Sequence, residues 1–229
     1  ISYVQIATQG LIAHGRGEAF DYLIGERTTE EAKRAQILAS LKLIEAARPV
    51  ISVNGNVGAL VPGEMAELST LLECPCEVNI FHRTEERVSN LVKKLEESGC
   101  PNVLGSDPDE RIPGLDHARA LCSGEGIFNA DVILVPLEDG DRCKALKAMK
   151  KTVITIDLNP LSRTSRTADI TIVDNLVRAI PNLITFSREA SEKGTIDGRD
   201  LEHWRSILRE FDNLGNMDLT LKGMVSRFR

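Results

Sequence analysis

From residue 50 onward the chain alternates short runs, most of them continuously apolar, with stretches of helical character, and nothing else in it constrains the fold as much. Val132-Ile133-Leu134-Val135 is one such run, with no polar residue inside it. A strand with one face in water alternates apolar and polar residues, whereas an unbroken β-branched run suits a strand buried on both faces of a parallel sheet. Strands are expected at 50–53, 77–81, 102–104, 131–135, 152–156 and 169–173, and helices at 62–72, 84–98, 115–122, 140–150 and 175–190. Repeated β–α units with right-handed crossovers predict a Rossmann-like, doubly wound, mainly parallel sheet in a three-layer α/β/α domain. Helical segments flank it. Residues 2–9 and 19–24 read as helix, and Thr28-Thr29-Glu30-Glu31 carries a capping-box signature. That signature opens a helix with Ala35, Leu38, Leu41 and Ile44 on one face, ended by Arg48-Pro49. Two helices close the chain, near 198–212 and 216–227, the first with Trp204, Ile207, Leu208 and Phe211 as its apolar stripe. The expected division is a single α/β domain over 1–229, with an N-terminal helical segment to residue 48, a sheet core at 49–192, and C-terminal helices at 193–229.

Composition excludes several function classes. The 229 residues suffice for one large domain, and 42% apolar with 27% charged residues is ordinary for a globular protein. A net charge of −6 argues against a nucleic-acid surface. No apolar run approaches the ~20 residues of a membrane span, no signal peptide is legible from Ile1 onward, and the cysteine pattern reads as reduced thiols of a cytoplasmic protein. Cys74, Cys76, Cys100, Cys122 and Cys143 are irregularly spaced, Cys74-Pro75-Cys76 is too tight for a CxxC motif, and the four histidines are scattered. Reduced thiols and no metal-ligating residues are the expectation.

Two segments point to anion chemistry. His14-Gly15-Arg16-Gly17-Glu18 packs an imidazole, a guanidinium, a carboxylate and two glycines into five residues, with a glycine on each side of Arg16. Glycine lets the backbone approach a ligand, and an arginine fork grips two oxygens of a phosphate or carboxylate. An ordinary tight turn reads equally well. Val50-Ile51-Ser52-Val53 runs into Asn54-Gly55-Asn56-Val57-Gly58, with Pro62 following, which reads as strand, glycine-rich turn, then helix. Neither GxxxxGK[ST] nor GxGxxG occurs in the chain. In open parallel sheets ligands bind beyond the carboxyl ends of the strands. That rule gathers Asn54, Gly55 and Asn56, His82 and Arg83, Pro136 to Asp139, Asp157 and Asn159, and Asp174 and Asn175 onto one rim. Asn175 also reads as a helix cap, and Arg163, Thr164 and Arg166 as either phosphate ligands or a solvated loop.

These segments, with Phe81-His82-Arg83-Thr84-Glu85-Glu86-Arg87-Val88 and Ile156-Asp157-Leu158-Asn159-Pro160-Leu161-Ser162-Arg163-Thr164, carry a resemblance over nearly the whole chain. The sequence resembles the archaeal phosphopantothenate synthetases, also called 4-phosphopantoate–β-alanine ligases. The family pattern has a helical His-Pro-Arg segment that would precede Ile1. The resemblance implies ATP with Mg²⁺, a homodimer, and condensation of 4-phosphopantoate with β-alanine through an acyl-adenylate, releasing AMP and pyrophosphate, in coenzyme A biosynthesis. It implies ATP contacts at Arg16, Asp157, Leu158, Asn159, Arg163, Thr164, Asn175 and Leu176. For the acid substrate's phosphate the candidates are His82 and Arg83, with Asn54, Gly55, Asn56 and Gly58 supplying the turn and its N–H groups. A short turn leading into the helix after Thr84 explains His82 and Arg83 as well. Catalytic candidates are Arg16 for charge stabilisation and His14, Glu18 or His82 as proton acceptor. Two other classes remain open from the residues alone: a nicotinamide- or flavin-dependent oxidoreductase, and a non-catalytic nucleotide-binding module.

Overall fold

The structure is a computed structural model describing residues 17–227. The helix expected at 2–9 lies outside the described residues. Residues 17–24 form helix α1, and α2 (Glu30–Ile44) leads into β1 (Pro49–Val53). Helices α3 (Gly55–Leu60) and α4 (Pro62–Leu71) precede β2 (Cys76–Val78), and α5 (Glu85–Glu97) precedes β3 (Val103–Leu104). An irregular stretch adds the small pair β4 (Glu110–Arg111) and β5 (Leu121–Cys122). There follow β6 (Val132–Leu134), α6 (Gly140–Ala148), β7 (Thr152–Ile156), α7 (Arg163–Thr167) and β8 (Ile170–Ile172). The chain then runs through α8 (Leu176–Lys193), the hairpin β9 (Thr195–Ile196) and β10 (Arg199–Asp200), α9 (Leu201–Arg209) and α10 (Asn213–Ser226).

The main sheet has the order β3-β2-β1-β6-β7-β8, and every pairing in it is parallel. The chain winds outward from β1 through β2 to β3, returns to β6 beside β1, and winds the other way. Right-handed crossovers in opposite directions place helices on both faces. The unbroken apolar runs serve this purpose. Ile51, Val53, Val132, Leu134, Ile154 and Ile156 enter the larger core with α2, α4, α5 and α8. Their neighbours Val50, Ile133 and Val153 face the opposite way, toward α6 and residues 112–130. A third, smaller cluster joins Ile24, Leu158, Val173, Met217 and Met224, tying α1 and α10 to the edge of the sheet. Among the described residues no helix is long and apolar enough to cross a membrane, and all five cysteines are free and buried.

Four local expectations are corrected. Residues 115–122 are not a helix: only Ala118–Ala120 make a 3-10 turn before β5. The Asn79 amide takes the carbonyls of Arg119 (3.3 Å) and Leu121 (2.9 Å), and β5 pairs antiparallel with β4, so this stretch bonds across the chain. The helix expected at 198–212 begins at Leu201, because Asp200 caps it by accepting the His203 N–H at 2.7 Å. The α2 cap is Thr29, whose hydroxyl accepts the Ala32 N–H; the Thr28 hydroxyl instead donates to Asp174 at 2.6 Å. Finally, Asn54–Gly58 is no loose turn but the start of α3.

Asn54 performs two tasks at the point where the winding reverses. Its Oδ1 accepts the N–H groups of Asn56 (3.0 Å) and Val57 (3.1 Å), capping α3. Its Nδ2 donates to the carbonyls of Pro136 (2.9 Å) and Leu137 (3.2 Å), bridging from β1 to the segment after β6. Asn54→Ala is expected to lower unfolding stability by about 1–3 kcal/mol, through the lost cap and the stranded carbonyls. Asn54→Asp keeps the cap but sets a carboxylate against two carbonyl oxygens, so it should cost at least as much. Urea denaturation of both variants checks this, and a fully stable Asp variant would show that the bridge contributes nothing.

Candidate active site

Parallel sheets of this order bind ligands where the winding reverses, beyond the carboxyl ends of the strands. Between β1 and β6 there is a cleft of about 460 Å³ there, a size that suits a nucleotide-like ligand. Asn56 borders it on the β1 side, Glu138, Asp139 and Gly140 after β6, Asp157 and Asn159 after β7, and Arg163 and Thr164 at the start of α7. Gly17, at the start of α1, closes one wall and stands against Leu158. Gly140 cannot carry a side chain: an added Cβ would come within 2.5 Å of Arg163 Cβ. That glycine lets the first turns of α6 and α7 come together at the cleft, and such first turns offer N–H groups to anions.

The polar rim residues are held before any ligand arrives. Asp157 accepts the Asn159 N–H at 2.9 Å and the Ser162 hydroxyl. Burial pushes its carboxyl above the usual range, and those hydrogen bonds oppose the shift. Asn159 Oδ1 accepts the Leu161 N–H at 2.9 Å, and Thr164 Oγ1 donates to the Glu138 carbonyl at 2.9 Å. Arg163 pairs with exposed Asp141 at 2.7 Å beside the opening.

Beneath the rim lies a charged cluster that no sequence motif marked. The Glu138 side chain is 1% exposed and sits between Arg119 (2.6 Å) and fully buried Arg142. Arg119 also reaches Asp139 Oδ2 at 3.2 Å and donates from Nε to Asn79 Oδ1 at 3.1 Å. Burial pulls the Arg119 guanidinium below its usual value, against the attraction of Glu138. Arg142 Nη2 donates to Ser52 Oγ at 3.3 Å, while its Nε is buried without a partner. Arg119 and Arg142 lie on an irregular turn and a helix, and nothing in their local sequence says that they converge.

Other expected positions lie elsewhere. Leu158 and Leu176 are buried core residues. Asn175 caps α8 and donates from Nδ2 to Asp21 Oδ2 at 2.9 Å. It belongs to a network in which Asp174 takes Thr28, Gln36 and Arg178, and Arg178 also pairs with Asp21. Burial raises the Asp21 carboxyl, but hydrogen bonds from Arg178 and Asn175 leave it below its ordinary value. The network docks α1, whose first residue borders the cleft. Gly58 faces α5, where an added Cβ would meet Leu91 at 2.7 Å, so packing explains this glycine. Gly55 opens α3 without bordering the cleft. His82 and Arg83 follow β2, on the far side of β1; Arg83 donates to the carbonyls of Gly105 (2.7 Å) and Ser106 (3.0 Å). Glu18 is exposed and accepts the Tyr22 hydroxyl at 3.2 Å. His14 and Arg16 lie outside the described residues.

The sequence profile of phosphopantothenate/pantothenate synthetase matches residues 31–227. A Thermococcus kodakarensis protein named 4-phosphopantoate–β-alanine ligase is 53% identical over 90% of this chain and 77% of its own length. Proteins of the same name from Thermococcus onnurineus and Methanosarcina mazei are 57% and 56% identical, each over 81% of this chain and over 72% and 73% of their own lengths. With a profile match over most of its length and relatives more than half identical, the chain belongs to the phosphopantothenate/pantothenate synthetase family.

Proposed function

We propose that this protein joins 4-phosphopantoate to β-alanine, driven by ATP, and so makes 4-phosphopantothenate for coenzyme A biosynthesis. The observation that carries this is the polar cleft at the reversal of the sheet in a chain whose relatives bear that ligase name. ATP occupies the cleft. Asp157 and Asn159 accept from or donate to its ribose and base, and Arg163, Thr164 and the first turns of α6 and α7 meet its phosphates. Arg16, which precedes α1 in the sequence, joins them. Asn175 holds α1 through Asp21, and Leu176 opens α8 beside it in the core. Mg²⁺ enters on the ATP phosphates as part of the substrate.

A carboxylate is a poor electrophile, so the acid must first gain a good leaving group. Attack of the 4-phosphopantoate carboxylate on the α-phosphorus expels pyrophosphate and leaves an acyl-adenylate. The free amine of β-alanine then attacks the acyl carbon, expels AMP and loses a proton to a base. Glu18 is an exposed candidate among the described residues, with His14 four residues before it in sequence. Cationic groups at the phosphates stabilise the charge that develops there. The oxidoreductase alternative has no local support: the first β–α turn is the Asn54-capped start of α3 and lacks the dinucleotide fingerprint. A cytoplasmic homodimer completes the reading, with exposed Leu214, Leu219 and Val225 of α10 as its contact face.

Incubating the protein with ATP, Mg²⁺, 4-phosphopantoate and β-alanine should release AMP only when both other substrates are present. Substrate-dependent ADP would replace the adenylate with an acyl phosphate, and ATP binding without turnover would leave only a nucleotide-binding module.

Asp157 separates binding from folding. Its raised carboxyl binds a proton more tightly in the folded than in the unfolded state. Ionising it therefore subtracts stability as pH rises from the ordinary carboxylate value through the raised one. Asp157→Asn should be at least as stable as wild type at pH 7, with the difference vanishing below about pH 4. Its ATP affinity should fall about fivefold to tenfold, the size of one lost hydrogen bond. Denaturation at the two pH values and calorimetric titration with ATP measure both, and unchanged ATP affinity would remove this strand end from the nucleotide site.

A further inference from the structure

The same rim carries a second group of side chains, after β2 and away from the nucleotide cleft. Phe81 is 52% exposed in the segment that follows β2. Its ring stacks on His117, with centroids 5.0 Å apart and planes at 30°, and meets His82 edge-on at 5.2 Å. His117 stands before the 3-10 turn Ala118–Ala120, and its Nδ1 is buried without a hydrogen-bond partner. A proton on that nitrogen would be a buried donor with no acceptor, which favours the tautomer with its N–H at Nε2. Arg83 borders the group and holds the loop after β3.

One guanidinium joins this group to the cleft. Arg119, two residues after His117, reaches Asn79 beyond β2 with Nε, and Glu138 and Asp139 at the cleft with Nη1. The two carboxylates are met by two arginines, so the floor between the regions does not repel an anion.

We infer that Phe81, His82 and His117 form the subsite for the phosphorylated end of the acid substrate, an inference that rests on the ligase reading above. 4-Phosphopantoate has a carboxylate at one end, a phosphate at the other and two methyl groups between. Its carboxylate must reach the α-phosphorus of ATP in the cleft. Its own phosphate is best kept away from the ATP phosphates, because like charges repel. A subsite for it therefore needs N–H donors beyond the nucleotide phosphates and an apolar surface on the way. The imidazole N–H groups of His117 and His82 are those donors, and the Phe81 ring is the surface for the methyl groups. His117 and Phe81 thereby join the site as substrate-binding residues.

The test compares His117→Ala, His117→Gln, Phe81→Ala and Phe81→Leu with wild type in steady-state AMP release. 4-Phosphopantoate, its dephosphorylated form pantoate, and ATP are varied in turn. His117→Ala should raise KM for 4-phosphopantoate about tenfold, as expected for a lost hydrogen bond to a charged group, with KM for ATP nearly unchanged. It should also narrow the preference for 4-phosphopantoate over pantoate. His117→Gln, whose amide nitrogen reaches close to the Nε2 position, should recover most of the loss. Phe81→Ala should weaken both acids, and Phe81→Leu should restore them. An unchanged KM for 4-phosphopantoate in His117→Ala overturns the assignment. So does an equal rise in the KM of ATP with a lower Tm, which marks a structural residue. Calorimetric titration of 4-phosphopantoate separates the inference from the function it rests on. Binding by wild type that His117→Ala loses, without any AMP release, refutes the ligase and supports the subsite. No binding by wild type refutes both.

Discussion

Glu138 sits between two arginines under the reversal of the sheet, and the site is built around that contact. A carboxylate this buried is tolerable only when its charge is met, and Arg119 and Arg142 meet it from two sides. Breaking a buried pair by removing one partner typically costs about 3–5 kcal/mol, because the other charge is stranded. The same guanidiniums reach Ser52 on β1 and Asn79 after β2. The ends of β1, β2 and β6 and the first turn of α6 are thus tied through one set of charges. Asp139, next in sequence, caps α6 and also meets Arg119, so the start of that helix cannot shift without disturbing the cluster.

The consequence is a preorganised rim. Asn54, Asp157, Asn159 and Thr164 are each engaged in a cap, a turn or a bridge before a ligand is present. Such engagement fixes side-chain orientation in advance, so little ordering remains when a ligand binds. The rim has two sides that share the Arg119 floor. One, after β6 and β7, is polar and lies between two helix starts. The other, after β2, is aromatic and imidazole-bearing. A ligase that brings a nucleotide and a small anionic acid together needs two such neighbouring regions of different chemistry.

Strand-end polar residues were legible in the sequence as a set, because a parallel sheet leaves its binding edge where strands end. Their individual roles were less legible. Asn175 and Gly58 look like ligand residues in the chain but are accounted for by docking α1 and packing against α5. A polar residue at a strand end caps, bridges or binds with the same chemistry, and only its partners distinguish these. Residues 115–122 show the opposite case. Their apolar character suggests a helix, but the carbonyls are taken by Asn79, about 40 residues away in the chain, and by the pairing of β5 with β4.

What the sequence determined by itself was the class of fold and the edge that carries the site. Strands that are mostly continuous apolar runs suit burial on both faces, and alternating helices suit a parallel, doubly wound arrangement. The family relationship was also written in local motifs, which persist because they are contiguous. Tertiary structure alone decided what stands behind the rim. Glu138 and Arg142 are four residues apart at the start of α6, but Arg119, like the pair Phe81 and His117, comes from distant parts of the chain. Charges and rings of this kind find each other only when the sheet has formed, because their pairing depends on distances across strands and not along the chain.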